Sequence, residues 1–292
     1  MAALAEPVEP AAGLPEYRPA RGFRQRWYRT PSFVAGLIII GALVLMAVFA
    51  PIVATHSPTD QDLKNILKGP SSEHWLGTDQ LGRDLWSRIV YAGRTDLKIG
   101  FLAVILPFCI GTVLGCLAGY YGRITDTIVL YFVNVVVAFP FLILITAILF
   151  TLGPGQSSIY IAITLVGWVS YCRLVRAEIL VAKRQEYVLA AQAAGLRDSR
   201  IIVRHILPNV ITQSIVFAMS DIVLVLAAIV TLGYIGIGVQ PPTPDWGNMI
   251  ADGQNFLTTR WQLSTFPGLA VVITGIGLSL LGDGLADLLR PE

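Results

Sequence analysis

The sequence predicts an all-α membrane protein of six transmembrane helices with a helix-turn-helix on its cytoplasmic face. Three observations lead there. Of 292 residues, 54% are hydrophobic and 14% charged, against roughly a half and a quarter in soluble domains. Mean hydropathy is +0.66, which excludes a disordered or coiled-coil chain. Apolar runs of membrane-crossing length recur along the sequence.

Residues 1–30 form a proline-bearing cytoplasmic tail that ends in an interfacial cluster, Arg18, Arg21, Arg24, Arg26 and Arg29 among Phe23, Trp27 and Tyr28. The run that follows is too long for the h-region of a signal peptide. Residues 31–98 hold the first span and an outer loop, with Thr30 as N-cap and Pro31 in the first turn. Residues 99–292 carry five more spans, near Ile99–Tyr120, Ile128–Leu152, Ile159–Leu180, Val210–Gly238 and Phe266–Leu285. Pro107 and Pro140 each remove a ladder hydrogen bond and should kink their helices. Gly111, Gly115 and Gly119, four residues apart, give one helix face over which a neighbouring backbone can pass closely.

Six spans put both ends on one side. Fourteen of the 21 Lys and Arg fall on that side and seven on the other, so the positive-inside rule makes both termini cytoplasmic. The formal net charge of +2 is small and held in loops, which gives no footing for nucleic acid. The three cysteines sit inside apolar runs, with no metal-ligand spacing. The three histidines, His56, His74 and His205, are expected in loops on different sides, so neither a metal site nor an intrinsic enzyme activity is expected. Gly77 to Gly82 has the spacing of a phosphate loop, but Arg83-Asp84 stands where Lys-Ser/Thr is required.

Asn134 and Asp221, the polar residues deepest in the predicted spans, are the candidates for lining a translocation path. A carboxylate there is costly enough to face a cavity or a partner helix, and Asp221 suits either lining of a translocation path or a structural hydrogen bond. Asp79, Arg83, Asp84 and Arg88 fit a hydrogen-bonded outer scaffold; Asp79, Arg83 and Asp84, with Asp245 and Trp246, also fit a docking surface for an external binding protein.

The cytoplasmic loop 183–208 is the most informative stretch. Glu186 opens an alanine-rich segment of high helix propensity, where a negative charge suits the positive end of the dipole. Gly195 should end that helix, Asp198 or Ser199 should cap a second one over Arg200–Leu207, and Pro208 should stop it. Ala190, Ala191 and Ala194 leave a narrow smooth face, which suits a cleft in another protein, while the basic residues around it suit anionic lipid.

This loop resembles the EAA signature of ABC importer permeases, through Ala190, Ala191, Gly195 and Ile206-Leu207-Pro208, opened by Glu186-Tyr187. The blocks His74-Trp-Leu-Gly-Thr-Asp-Gln-Leu-Gly-Arg-Asp, Gly236-Ile-Gly-Val-Gln-Pro-Pro-Thr-Pro-Asp-Trp-Gly and Leu281-Gly-Asp-Gly-Leu-Ala-Asp are similar to signatures of the dipeptide/oligopeptide permease family, DppC/OppC type. The resemblance implies a type I importer fold in a bacterial inner membrane. It implies a second homologous permease, two ATP-binding subunits that hold ATP and magnesium, and an extracytoplasmic substrate-binding protein; no cofactor would reside in this chain. Glu186, Tyr187, Ala190, Ala191, Ala194, Gly195 and Leu196 would form the coupling helix. A secondary transporter or channel independent of ATP is the alternative.

Overall fold

The computed structural model describes residues 30–289; the tail cluster at residues 18–29 and Arg290 lie outside them. Among the described residues there are helices and no strand, apart from one isolated bridge between Thr78 and Asp84. The first span is α1, Pro31–Val48, continued by the short α2, Ala50–Val53. A 37-residue helix, α3, runs over Leu85–Tyr121, which is about 55 Å at 1.5 Å per residue and far exceeds a hydrocarbon core of roughly 30 Å. Its first turns therefore stand outside the membrane, well before the expected start at Ile99.

The third predicted span is not one helix. It is α4, Arg123–Val137, and α5, Phe141–Leu152, bent by 86° where Ala138 to Pro140 interrupt the ladder. Proline at 140 also biases Phe139 away from helical backbone, so a break replaces the expected kink. Pro107, by contrast, lies inside continuous α3, its ring seated beside Gly167.

Whether the bent pair crosses the membrane follows from helix direction. A Cβ on Gly111 would meet Trp168 O at 2.4 Å, one on Gly115 would meet Cys172 O at 2.7 Å, and one on Gly119 would meet Arg176 O at 3.0 Å. The partners advance together, so α3 runs parallel to α6, Gln156–Ala182. A chain that leaves one parallel helix and enters the next must return across the membrane, and α4 with α5 is that return. The glycine stripe itself packs the backbone of α3 against α6, as its spacing predicts.

Beyond α6 come α7, Glu186–Ala193, α8, Asp198–Ile201, a π turn at Ile202–Ile206, and α9, Leu207–Tyr234. Pro208 does not stop a separate helix. The segment Asp198–Tyr234 is continuous, and the π turn, with Leu207 N–H bonded to Ile202 O, sits where proline can offer no N–H to the ladder. The short α10, Trp246–Gln254, and the last span α11, Gln262–Leu289, complete the chain.

Close glycine contacts also fix α1 antiparallel to α11. A Cβ on Gly36 would meet Leu281 N, and one on Gly284 would meet Phe33 N, each at 2.4 Å. Six crossings result, with the outer ends of α1 and α11 away from residues 183–206; the face bearing those residues is called inner below, and its opposite outer.

Candidate functional site: an inner knuckle, a membrane cleft and an outer knot

On the inner face α7 begins with Glu186 in its first turn and is capped by Ala194. Gly195 N–H bonds Gln192 O at 2.9 Å and Leu196 N–H bonds Ala191 O at 3.2 Å. Those two bonds make a Schellman ending, which needs a left-handed residue after the cap, and Gly195 has φ +72°. The apolar contact that accompanies such an ending is Leu196 with Ala191, both packed on a cluster of Val175, Ile179, Val188, Ile201, Ile206 and Val210.

This corrects the expected docking face. Ala191 is buried and Leu196 half-buried against the chain's own body, so they root the knuckle and do not present it. Glu186, Tyr187, Ala190, Ala194 and Gly195 are exposed, together with Leu189. The root is further tied by Lys183 Nζ to Gly119 O at 3.0 Å and by Tyr120 Oη, which donates to Asp198 Oδ1 at 2.8 Å. Asp198 is thus the first residue of α8 rather than its cap, and its carboxylate is spent on α3.

Within the membrane a cleft of about 440 Å³ opens between α5, α6 and α9, lined by Phe141, Ser170, Phe217, Asp221 and Thr231 among others. Tyr171 Oη donates to Asp221 Oδ2 at 2.7 Å, and the Tyr171 ring is buried edge-on against Phe108 and Phe217. Asp221 therefore makes the expected bond to another helix, and it also lies on the wall of this cleft. Tyr171 is invisible as a partner in the sequence because it lies in an ordinary apolar run. Asn134 is exposed on α4 and does not line this cleft.

On the outer face the polar block after the first span folds inward. Asp79 Oδ1 accepts from the N–H groups of Leu81 and Arg83, and Oδ2 accepts from Arg83 Nε at 2.7 Å, with Arg88 Nε at 3.4 Å. Asp84 caps α3 through Ser87 N–H at 2.8 Å and faces His74 Nδ1 at 2.9 Å. Burial alone would raise the Asp84 carboxyl, but the Ser87 N–H and hydroxyl, His74 and nearby His56 outweigh it and hold the group below its usual range.

Trp246 joins this block to the later one. Its indole N–H donates to Ile89 O at 3.1 Å, its backbone N–H donates to Asp96 Oδ2 at 3.0 Å, and its ring fills the space a side chain at Gly93 would need. Asp245 caps α10 through Asn248 N–H at 2.8 Å. Asp79, Arg83, Asp84, Asp245 and Trp246 are all at most 5% exposed. The docking surface expected from them is therefore corrected: they form a buried knot that joins two distant sequence blocks. His56 and His74, both in the outer loop, lie with ring centroids 4.6 Å apart.

Sequence relatives decide the family. Residues 111–292 match the family model described as binding-protein-dependent transport system inner membrane component, and residues 18–70 match the N-terminal TM domain of oligopeptide transport permease C. The chain belongs to that transport permease family. It is 39% identical to the dipeptide transport system permease protein DppC of Alkalihalophilus pseudofirmus, over 89% of this chain and 85% of that protein. It is 38% identical to the probable D,D-dipeptide transport system permease protein DdpC of Escherichia coli, over 90% and 88%. A glutathione transport system permease protein, GsiD of Pectobacterium atrosepticum, is 35% identical over 94% and 91%. A solved structure of the MetNI methionine ABC transporter in an inward-facing conformation superposes with TM-score 0.56 at 18% identity, covering 70% of this permease and 97% of that chain. The shared fold is that of a type I importer permease, a transporter component rather than a catalytic enzyme, and the secondary-transporter alternative finds no support.

Proposed function

We propose that this permease is one of two homologous membrane subunits of an ATP-driven importer of short peptides, and that residues 183–208 couple it to an ATPase. The observation that carries the coupling role is the two-sided knuckle. One side, Val188, Ala191 and Leu196, is sunk into the permease; the other, Glu186, Tyr187, Ala190 and Ala194, is bare and small enough to enter a groove. A segment rooted this way moves with α6 and α9 as a unit, so force on its exposed side reaches two of the helices that line the cleft. Gly195 serves the shape of the knuckle through its turn.

The peptide class rests on the relatives, whose names give dipeptides, D,D-dipeptides and glutathione as cargo. The cleft beside Asp221, with apolar walls and a tyrosine-held carboxyl, suits a passage along which a peptide slides without tight binding. Asn134, on the exposed flank of the bent span, suits the seam with the second permease. ATP and magnesium would reside on two ATP-binding subunits, a substrate-binding protein would deliver cargo at the outer face, and both termini would be cytoplasmic in a bacterial inner membrane.

The test is uptake by the full complex in proteoliposomes with ATP inside. Ala190→Arg puts bulk and charge on the bare side without touching the root. It is expected to abolish ATP-dependent uptake, with the permease still inserted and its thermal stability unchanged. Normal uptake by an assembled Ala190→Arg complex would refute the coupling assignment, and uptake driven by an ion gradient alone would refute the importer reading.

A further inference from the structure

The outer face brings together two histidines and a glutamate that the transport reading leaves unused. His56 follows the helix that closes the first span, and Glu73 and His74 lie on the loop ahead of α3. One ligand atom from each of the three lies within 4.8 Å of the others. His74 is buried, His56 is partly exposed and Glu73 is exposed.

The hydrogen bonds state which ring nitrogens are free. Asp84 Oδ2 already accepts from Ser87 N–H and Oγ, and Oδ1 lies 2.9 Å from His74 Nδ1, where the carboxylate accepts the imidazole N–H. His74 Nε2 then carries a lone pair. Thr55 Oγ1 donates to Asp84 Oδ2 at 3.3 Å, so the 3.0 Å contact between His56 Nδ1 and Thr55 Oγ1 is a donation from the ring. His56 Nε2 carries a lone pair as well. Asp84 and Thr55 thus fix both tautomers from behind, and Asp84 is itself fixed by Ser87 N–H and Oγ.

Two imidazoles whose Nδ1 atoms are engaged from behind and whose Nε2 atoms are open, one of them backed by a buried carboxylate, with the Glu73 carboxylate alongside, form the donor set of a divalent transition-metal site. Ligand atoms around one ion with bonds of about 2.0–2.1 Å sit closer together than 4.8 Å, and exposed Glu73 has the rotamer freedom to close in. The donors are nitrogen and oxygen without thiolate, which suits zinc and its neighbours rather than a soft ion.

We infer that His56, Glu73 and His74 bind one divalent transition-metal ion of the zinc type, with the remaining position open to water. The ion ties the end of the first span to the loop that leads into the buried outer knot. The site is independent of the coupling assignment, so either can fail alone.

The experiment uses the full-length chain in nanodiscs, purified on a tag without histidine and stripped with chelator, then titrated with Zn²⁺ by calorimetry and with Co²⁺ by visible absorption. Wild type is expected to bind one ion per chain, and Co²⁺ to give the intense bands of a four-coordinate site. His56→Ala and Glu73→Gln are each expected to weaken binding by more than about tenfold, the loss that even changes behind the ligands cause. Metal should raise the melting temperature of wild type and leave both variants where their chelated forms melt. Matching melts of all three chelated proteins would show that the variants fold. Absence of saturable binding in wild type, or wild-type affinity in either variant, would overturn the assignment.

Discussion

The outer knot and the inner knuckle are both dense in sequence signatures, yet they are built on opposite principles. In the outer knot the polar residues are inside: Asp79, Arg83, Asp84, Asp245 and Trp246 are buried and meet one another's elements. In the inner knuckle small apolar residues are outside, with Ala190 and Ala194 bare to the surroundings. A signature of charges therefore marks architecture here, and a signature of alanines marks exposed surface. The difference lies in what each residue type needs. A buried carboxylate or guanidinium demands fixed partners and so constrains its neighbours, whereas an exposed alanine constrains nothing except the room above it.

The comparison breaks if substitutions in the knot leave stability untouched. Asp79→Ala strips Arg83 of its short partner and leaves a buried cation, which is expected to cost about 3–5 kcal/mol. Trp246→Ala empties the space beside Gly93 and is expected to cost about the same. Thermal unfolding of the purified chain, read by tryptophan fluorescence or by a thiol dye, checks both; an unchanged melt of either variant would mean the two blocks are not joined. Next in size is Ala191→Arg on the rooted side of the knuckle, expected to lose about 1–3 kcal/mol from overpacking alone. Ala190→Arg one residue earlier is expected to stay within about 0.5 kcal/mol of wild type. The pair sharpens the contrast within a single helix turn.

A subtler difference is in pH response. Asp96 and Asp245 are both fully buried, and Asp96 Oδ1 and Asp245 Oδ2 find no partner elsewhere. Burial raises the Asp245 carboxyl above its ordinary value of 3.8, while hydrogen bonds from Asp96 and from the N–H groups of Asn248 and Gly247 pull it partway back. A raised carboxyl favours the folded state while protonated, so its contribution is complete below the ordinary value and fades as pH climbs through the folded one. Asp245→Asn keeps the cap and cannot ionise. It is expected to flatten the fall of melting temperature with rising pH over that window, and an unaltered slope would show that Asp245 does not titrate there.

The sequence made the helical class, the glycine face of α3, the turn at Gly195 and the family signatures legible, because each rests on local spacing that the fold keeps. Gly111, Gly115 and Gly119 needed only a neighbour, and α6 supplied it. The break at Pro140 was half legible: proline announces a disturbed ladder, but whether the helix bends a little or turns by 86° depends on what α5 packs against. Direction was invisible too. That α3 and α6 run parallel emerges only from paired contacts, and it is what makes the bent pair a crossing. The burial of Asp79 and Arg83 could not be read because α10 arrives beside them from far along the chain, and that of Asp84 because Thr55 and His74 close over it. The convergence of His56 and His74 is hidden because the outer loop folds back on itself, with Thr78 N–H bonded to Lys68 O.

The smallest expected effect concerns the footing of the knuckle. Tyr120→Phe removes the donation to Asp198 while keeping the ring against Tyr121, and a partly exposed bond of this kind is worth about 0.5–1 kcal/mol. Global stability should hardly register it. Local opening should, because Asp198 starts the helix that returns from the turn at Gly195, and a looser start frees the amides of residues 186–196. Hydrogen exchange on the full chain is expected to show faster exchange there and no change in α10. If exchange in the knuckle stays as slow as in wild type, the apolar root of Val188, Ala191 and Ile201 holds it alone, and the hydroxyl of Tyr120 is incidental to its rigidity.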